Sequence, residues 1–193
     1  MIKVCHMTSA HGEEDVRIFH KECVSLAKAG YDTYLVERGE SREKNGVHIV
    51  GVGEIPKSRR KRMTEGAKRV YEAAKALDAD IYHFHDPELL PYGLKLKRTG
   101  KKVIFDSHEN TAESIQEKTW VSKPIRGAVY HLYASYQAYV CRHLDYVVVV
   151  SPNAVDFFQP FCKKLTVITN YPILRQFSIS HKRDRSVAFA GRR

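Results

Sequence analysis

Four consecutive valines, Val147 to Val150, close the run Asp145-Tyr146-Val147-Val148-Val149-Val150, and this run restricts the fold more than any other stretch. A β-branched run without polar alternation reads as a strand covered on both faces, the usual setting of a parallel sheet. Two strand-and-loop units precede it between Asp80 and Asn110. In the first, Ile81, His83 and His85 alternate with Tyr82 and Phe84, which predicts a strand. It ends in Asp86-Pro87-Glu88, the pattern of a helix start with Asp at the N-cap, Pro at the first position and an acid in the first turn. In the second, the apolar run Val103-Ile104-Phe105 leads into Asp106-Ser107-His108-Glu109-Asn110. Both strands carry ionisable groups beyond their carboxyl ends, where open α/β sheets bind ligands.

The rest of the chain alternates in the same way. Ile2 to Met7 reads as a strand, and Thr8 to Asp15 as a polar loop. Val16, Phe19, Cys23, Leu26 and Ala27 then recur at helical spacing up to Gly30, a helix-ending glycine. Thr33–Val36 and Val47–Val52 are expected strands joined by a polar turn over Gly39–Gly46. A helix is expected from Lys57 through Val70, Ala73, Ala74 and Leu77. Ala112 to Lys118 reads as a short helix, interrupted over Trp120–Pro124. The next runs over Ile125–His143, with Val129, Leu132, Tyr133, Tyr136 and Val140 on one face, expected to be core or sheet cover, with an acceptor-binding groove as the alternative. Ser151-Pro152-Asn153 opens a helix to Phe158, and Leu165–Ile168 is the last strand of the set. The pattern predicts an α/β fold with a doubly wound, Rossmann-like parallel sheet over residues 1–180. His181–Arg185 then reads as a charged linker and Val187–Gly191 as a fresh strand without partners. Residues 181–193 are therefore expected to be the linker and first strand of a second, truncated domain.

Charge narrows the partners. With 32 Lys and Arg against 22 Asp and Glu, the net charge of +10 favours an anionic partner. Cations concentrate at Lys57, Arg59, Arg60, Lys61 and Arg62, at a helix N-terminus where they oppose the macrodipole. They form either a solvated face or a contact for anionic lipid headgroups or a phosphorylated acceptor. Nucleic acid is disfavoured, because no aromatic residues interleave as stacking platforms. Cys5, Cys23, Cys141 and Cys162 are widely spaced with no CxxC pair, which points to reduced, buried thiols. No secretory apolar region follows Met1, and the longest apolar run is too short to span a bilayer. The expected location is cytoplasmic, either soluble or peripheral at the inner face of the membrane.

The first loop holds a single Gly12 rather than GxGxxG, so the nicotinamide fingerprint is absent. Its small residues and the helix start behind it suit the approach of a phosphate, and also an ordinary strand-to-helix connection. His83-x-His85-Asp86, with His108 and Glu109 ending the next strand, leaves open a metal-dependent hydrolase built on His83, His85, Asp86 and His108. A non-catalytic module that binds anions or membranes also stays open. Asp86 as a plain N-cap and His85 as a satisfied core histidine are the bland alternatives.

Taken in order, His11-Gly12 with DVRIFHKECVSLAKAGY, then YHFHDPELL, VIFDSHEN, VVVVSPNAVDFF, VITNYPILRQF and VAFAGRR, the chain resembles the N-terminal domain of glycosyltransferase family 4, with the two-domain GT-B fold, of the type found in bacterial polysaccharide biosynthesis. The resemblance implies transfer of a sugar from a nucleotide diphosphate sugar to a saccharide or lipid-linked acceptor with retention of configuration. It implies no cofactor and usually no metal. By the same resemblance His108 is the catalytic histidine near the reacting carbon, and Gly12, His11 and Asn110 lie on the donor side. Asp15, Arg17, His85, Asp86, Glu88 and Glu109 lie on the acceptor side, and Asn170 leads into the interdomain linker. Without the second domain such a chain is expected to bind donor poorly and to turn over little.

Overall fold

The computed structural model describes residues 1–56, 58–108 and 122–171. Among these, eight strands form one sheet in the order β3-β4-β2-β1-β5-β6-β7-β8. They are β1 Lys3–Met7, β2 Asp32–Glu37, β3 Arg42–Lys44, β4 Val47–Gly51, β5 Ile81–Phe84, β6 Lys102–Ser107, β7 Tyr146–Val149 and β8 Leu165–Val167. All pairings are parallel except β3 with β4, so the expected doubly wound α/β sheet is present with one antiparallel edge. That edge strand occupies part of the stretch expected to be only a polar turn: the positive φ of Asn45 and Gly46 closes a tight hairpin that lets three polar residues pair.

Among the described residues, five helical segments connect the strands. Helix α1 begins as a π-helical stretch, Val16–Cys23, and continues as α-helix Val24–Lys28. Helix α2 joins Arg59–Lys61, a π-helical Arg62–Gly66 and Ala67–Ala76. Helix α3 is Pro87–Leu89 followed by Leu90–Arg98, α4 is Lys123–Ile125 followed by Arg126–His143, and α5 is Pro152–Ala154 followed by Val155–Phe158. The helix expected over Ala112–Lys118, the fresh strand at Val187–Gly191, Lys57, Glu109 and Asn110 lie outside the described residues.

Strand alternation divides the sheet into two unlike faces. Cys5 and Met7 of β1, Tyr82 and Phe84 of β5, Val103 and Phe105 of β6, and Val147 and Val149 of β7 turn to one side. There they pack under Val70 and Ala74 of α2, Leu90 and Leu96 of α3, Val140 and Cys141 of α4, and Phe158 of α5. On the other side Ile18, Phe19, Cys23 and Val24 of α1 pack on Leu35, Val47 and Ile49. Next to this smaller core the same face carries His6, His83 and Asp106, side chains no apolar helix could cover without partners. All four cysteines are free, three of them buried, as expected.

Two expected apolar stripes need correction. On α4, Leu132 is 75% and Tyr136 39% exposed, while Gln137, Val140 and Cys141 are buried. The covered arc is set by the turns that reach the sheet and α3, and it lies about one residue round from the expected stripe. On α1, Val16 is exposed, and Arg17 and Ile18 are buried in its place. The π-winding causes this shift, because it advances each residue by less than the 100° of an α-helix.

Candidate functional site

The strand order reverses between β1 and β5: the chain leaves β1 toward β2 and β4, then returns to the other side of β1 as β5. The carboxyl ends of β1, β5 and β6 therefore open a crevice at the switch point, where α/β sheets bind ligands. His6 and His83 are directly paired across β1 and β5. His85 follows β5 on the same face, its backbone N–H donating to the Met7 carbonyl at 3.2 Å. Asp106 near the end of β6 and His108 just beyond it share that face by the same alternation.

Asp106 is the hub. Its Oδ2 accepts from Arg17 Nη2 at 2.8 Å and Arg17 Nε at 3.1 Å, and lies 3.2 Å from His108 Nε2 and 3.6 Å from His85 Nδ1. Burial pushes its carboxyl up, but the hydrogen bonds to His108 and His85 outweigh burial and hold it well below the carboxylate range. Arg17 also donates from Nη1 to the Ile168 carbonyl at 3.0 Å and pairs through Nε with Glu22 Oε1 at 2.9 Å. The arginine that the resemblance puts on the acceptor side is thus buried, its guanidinium engaged by Asp106 and Glu22.

Arg17 and Glu22 meet only because α1 opens with π-winding. Five residues apart, they would stand about 140° apart round an α-helix, whereas i→i+5 winding brings them to about one turn. Asp15 starts this segment as its N-cap, accepting from Arg17 N at 2.8 Å and Ile18 N at 3.1 Å. Its carboxyl is held low by His11, whose Nδ1 lies 3.3 Å away, and by these two N–H groups against burial.

His6, His83 and His85 stack against one another with centroids 4.6 to 5.2 Å apart. Burial, then neighbouring imidazoles, lowers His6 far below the ordinary histidine value; burial, then His85, takes His83 to about 3; burial also lowers His85. Each of the three rings is thus biased toward its neutral form. Glu22 faces them, and burial, then the Asp106 charge, pushes its carboxyl up to about 9.

Asp86 occupies the N-cap position of α3, with Pro87 next, as the sequence predicts, but its side chain makes no cap bond there. Instead Oδ2 accepts from Thr8 Oγ1 at 2.8 Å, Ser9 N at 2.6 Å and Ala10 N at 3.1 Å, while Oδ1 faces His11 Nε2 at 3.4 Å. It clamps the first loop to β5. The quartet read as a metal-dependent hydrolase is therefore not one cluster: His83, His85 and His108 share the β6 side, and Asp86 faces the loop. The clamp also carries His11 to His108, their rings edge to face at 5.2 Å. At Gly12 an added Cβ would meet only Arg38 Nη2, at 3.4 Å, so internal packing does not require glycine there. Glu88 accepts from Arg62 Nε at 3.2 Å, which ties the start of α2 to the same edge.

The structure thus brings His11, Asp15, Arg17, His85, Asp86 and His108 together. Gly12 follows His11 on the loop and lies beside Arg38, Glu88 is tied to Arg62, and Glu109 and Asn110 fall outside the described residues. Sequence reasoning missed His6 and Glu22 as members, and placed Asp106 in the polar cluster that ends β6 without giving it a role. The alternation of His6 with Cys5 and Met7 was a usable signal; the π-turn that recruits Glu22 has none in the hydrophobic period.

The family model described as Glycosyltransferase Family 4 matches residues 17–171. No curated protein matches the chain in sequence. Among solved structures, the chain is similar to sucrose-phosphate synthase from Thermosynechococcus elongatus, at TM-score 0.67 and 13% identity over 92% of this chain and 50% of that one. It is similar to CalG4, the calicheamicin glycosyltransferase, at TM-score 0.56 and 12% identity over 88% of this chain and 53% of that one. It is also similar to Glycyrrhiza uralensis UGT73P12, solved with glycyrrhetinic acid 3-O-monoglucuronide, at TM-score 0.55 and 9% identity over 88% and 49%. The chain spans about half the length of each of these three structures.

Proposed function

The chain belongs to glycosyltransferase family 4, and from that premise we propose that it forms the acceptor-side half of a retaining transferase. Together with a second, nucleotide-binding domain, it moves a sugar from a nucleotide diphosphate sugar to a saccharide or lipid-linked acceptor in cell-surface polysaccharide synthesis. The observation that carries this reading is the convergence of the first loop and His108 on the switch-point crevice, held by Asp86 and Asp106.

In this reading the donor diphosphate lies along the backbone at His11 and Gly12, where Gly12 leaves room and the exposed Arg38 guanidinium supplies positive charge. His108 faces the sugar. Its ring, fixed by Asp106 and His85, offers an oriented dipole to the positive charge that develops at the anomeric carbon as the leaving diphosphate departs. Arg17, His85 and Asp86 act by positioning His108 and the loop. The transfer step requires no metal at the diphosphate. The acceptor enters along the edge marked by Glu88 and the start of α2, where Arg59, Arg60 and Lys61 are exposed. Those cations favour an acceptor in an anionic membrane surface, approached peripherally; no helix among the described residues is long and apolar enough to cross a membrane.

The test is to join the chain to a nucleotide-binding second domain and measure nucleoside diphosphate release from a panel of nucleotide sugars. His108→Ala is expected to lower turnover by about two to three orders of magnitude, the scale of losing one preorganised stabilising group. Unchanged release in that variant would remove His108 from the chemistry.

A further inference from the structure

Three imidazoles and a carboxylate share the buried space behind His108, and the transfer reading uses none of them directly. Each of His6, Glu22, His83 and His85 offers one ligand atom, and these atoms all lie within 4.8 Å of one another. We propose that this quartet is a binding site for a divalent transition-metal ion of the zinc type.

The spacing fits. His6 Nδ1, His85 Nε2 and Glu22 Oε2 are separated by 3.0, 3.7 and 3.8 Å. Tetrahedral zinc, with bonds of about 2.0–2.1 Å, needs ligand-to-ligand edges of about 3.4 Å. Hydrogen bonding alone leaves the cluster unfinished: Glu22 Oε2 and His83 Nε2 are buried without a partner. A native buried network normally satisfies such atoms, and an ion would complete both.

The surroundings are those of metal ligands. His85 turns Nε2 to the quartet, and its Nδ1 faces His108 Nε2 at 3.2 Å and Asp106 Oδ2 at 3.6 Å, the outer partner that fixes a ligating imidazole. Glu22 turns Oε2 inward, while Oε1 is held by Arg17 Nε at 2.9 Å. Two ligands come from strands in direct register and one from the helix above them, so rigid elements hold the site. Three nitrogens and one oxygen in a closed, buried set suit a structural zinc better than magnesium or calcium, which take oxygen shells. A second trio, His85, Asp106 and His108, also lies close together, but Asp106 Oδ2 already accepts twice from Arg17. Asp106 and His108 of that trio stand outside the ligands, facing Nδ1 of His85. The ion would sit behind His108 as a fixed charge that seats His85, and the site stands whether or not the transfer reading holds.

The test uses the tag-free 193-residue chain, stripped by chelator and titrated with Co2+. Saturation near about one Co2+ per chain is expected, with visible bands of four-coordinate cobalt, bleached by Zn2+, and with a higher Tm. Glu22→Gln and His83→Gln should each abolish the bands, and Asp106→Asn should weaken binding by about 10–100-fold. If the ligand variants fail to fold, the wild type decides: the cobalt protein should show three paramagnetically shifted imidazole N–H resonances, one for each histidine ligand. A folded wild type without cobalt bands overturns the proposal. So do fewer than three shifted resonances, or bands that survive both ligand substitutions.

Discussion

Asp86→Ala tests the positioning argument most directly. Asp86 is 2% exposed, and Oδ2 alone takes Thr8 Oγ1, Ser9 N and Ala10 N at 2.6 to 3.1 Å. Hydrogen bonds to a charged acceptor are each worth about 1.5–3 kcal/mol, but an unclamped loop can recover part of that from water. A net loss of about 3 kcal/mol follows, which for a chain of this size lowers Tm by about 6–12 °C. Asp86→Asn keeps one acceptor oxygen for the same three donors and presents its amide to His11. It should cost about 1 kcal/mol, the difference between charged and neutral acceptors. Urea unfolding of the three proteins gives the ordering, and the m-value shows whether the transitions are comparable. If alanine costs under about 1 kcal/mol, or asparagine as much as alanine, the clamp is not what holds the first loop.

Other perturbations read other parts of the argument. Asp15→Ala should cost about 1 kcal/mol through the lost cap on Arg17 N and Ile18 N. Since the Asp15 carboxyl is held below its ordinary value, its contribution is full above the ordinary Asp range and fades as pH falls through and below it, so the wild type and the variant should converge in acid unfolding. A methyl at Gly93 would overlap the Phe84 ring, and Gly93→Ala should destabilise by about 1–3 kcal/mol in thermal unfolding. Replacing Arg59, Arg60 and Lys61 by Ser should leave Tm within about 1 °C and reduce sedimentation with vesicles containing anionic lipid by about 1 kcal/mol per charge; undiminished binding removes the membrane-edge reading.

Much of the architecture was legible because the relevant signals are local. The valine run, the alternation at Ile81–His85 and the Asp86-Pro87 start each act within a few residues, and each element formed where its pattern lay. His108 and the first loop were legible as candidates because each follows the carboxyl end of a strand. The rest depended on distant or irregular features. That Asp86 serves the first loop and not its own helix is a contact across 76 to 78 residues. Glu22 reaches Arg17 through π-winding, invisible to a search at 3.6 residues per turn. The stripe on α4 went astray because the period shows which residues share a face, not which face the sheet will meet.

The two faces of the sheet bear differently on stability and on function. One face buries aromatic and aliphatic side chains beneath α2 to α5, and it suffices to close a core across β1, β5, β6 and β7. On the opposite face the same strands hold His6, His83, His85 and Asp106 against Arg17 and Glu22. Apolar residues of similar volume often replace buried ionic groups at no loss, or with a gain of about 1–4 kcal/mol. A fold selected for stability alone would carry the first kind of packing on both faces. The polar face instead holds His108 and, through it, His11 of the first loop at the carboxyl edge, with the four proposed ligand residues beside them. Truncating one member should be costly where it strands a charge, as Arg17→Ala does to Asp106. His6→Phe, which strands none and fills the same space with a ring, should cost less than Arg17→Ala while lowering cobalt uptake. The reverse order would make the cluster a structural core, with no ligand to hold.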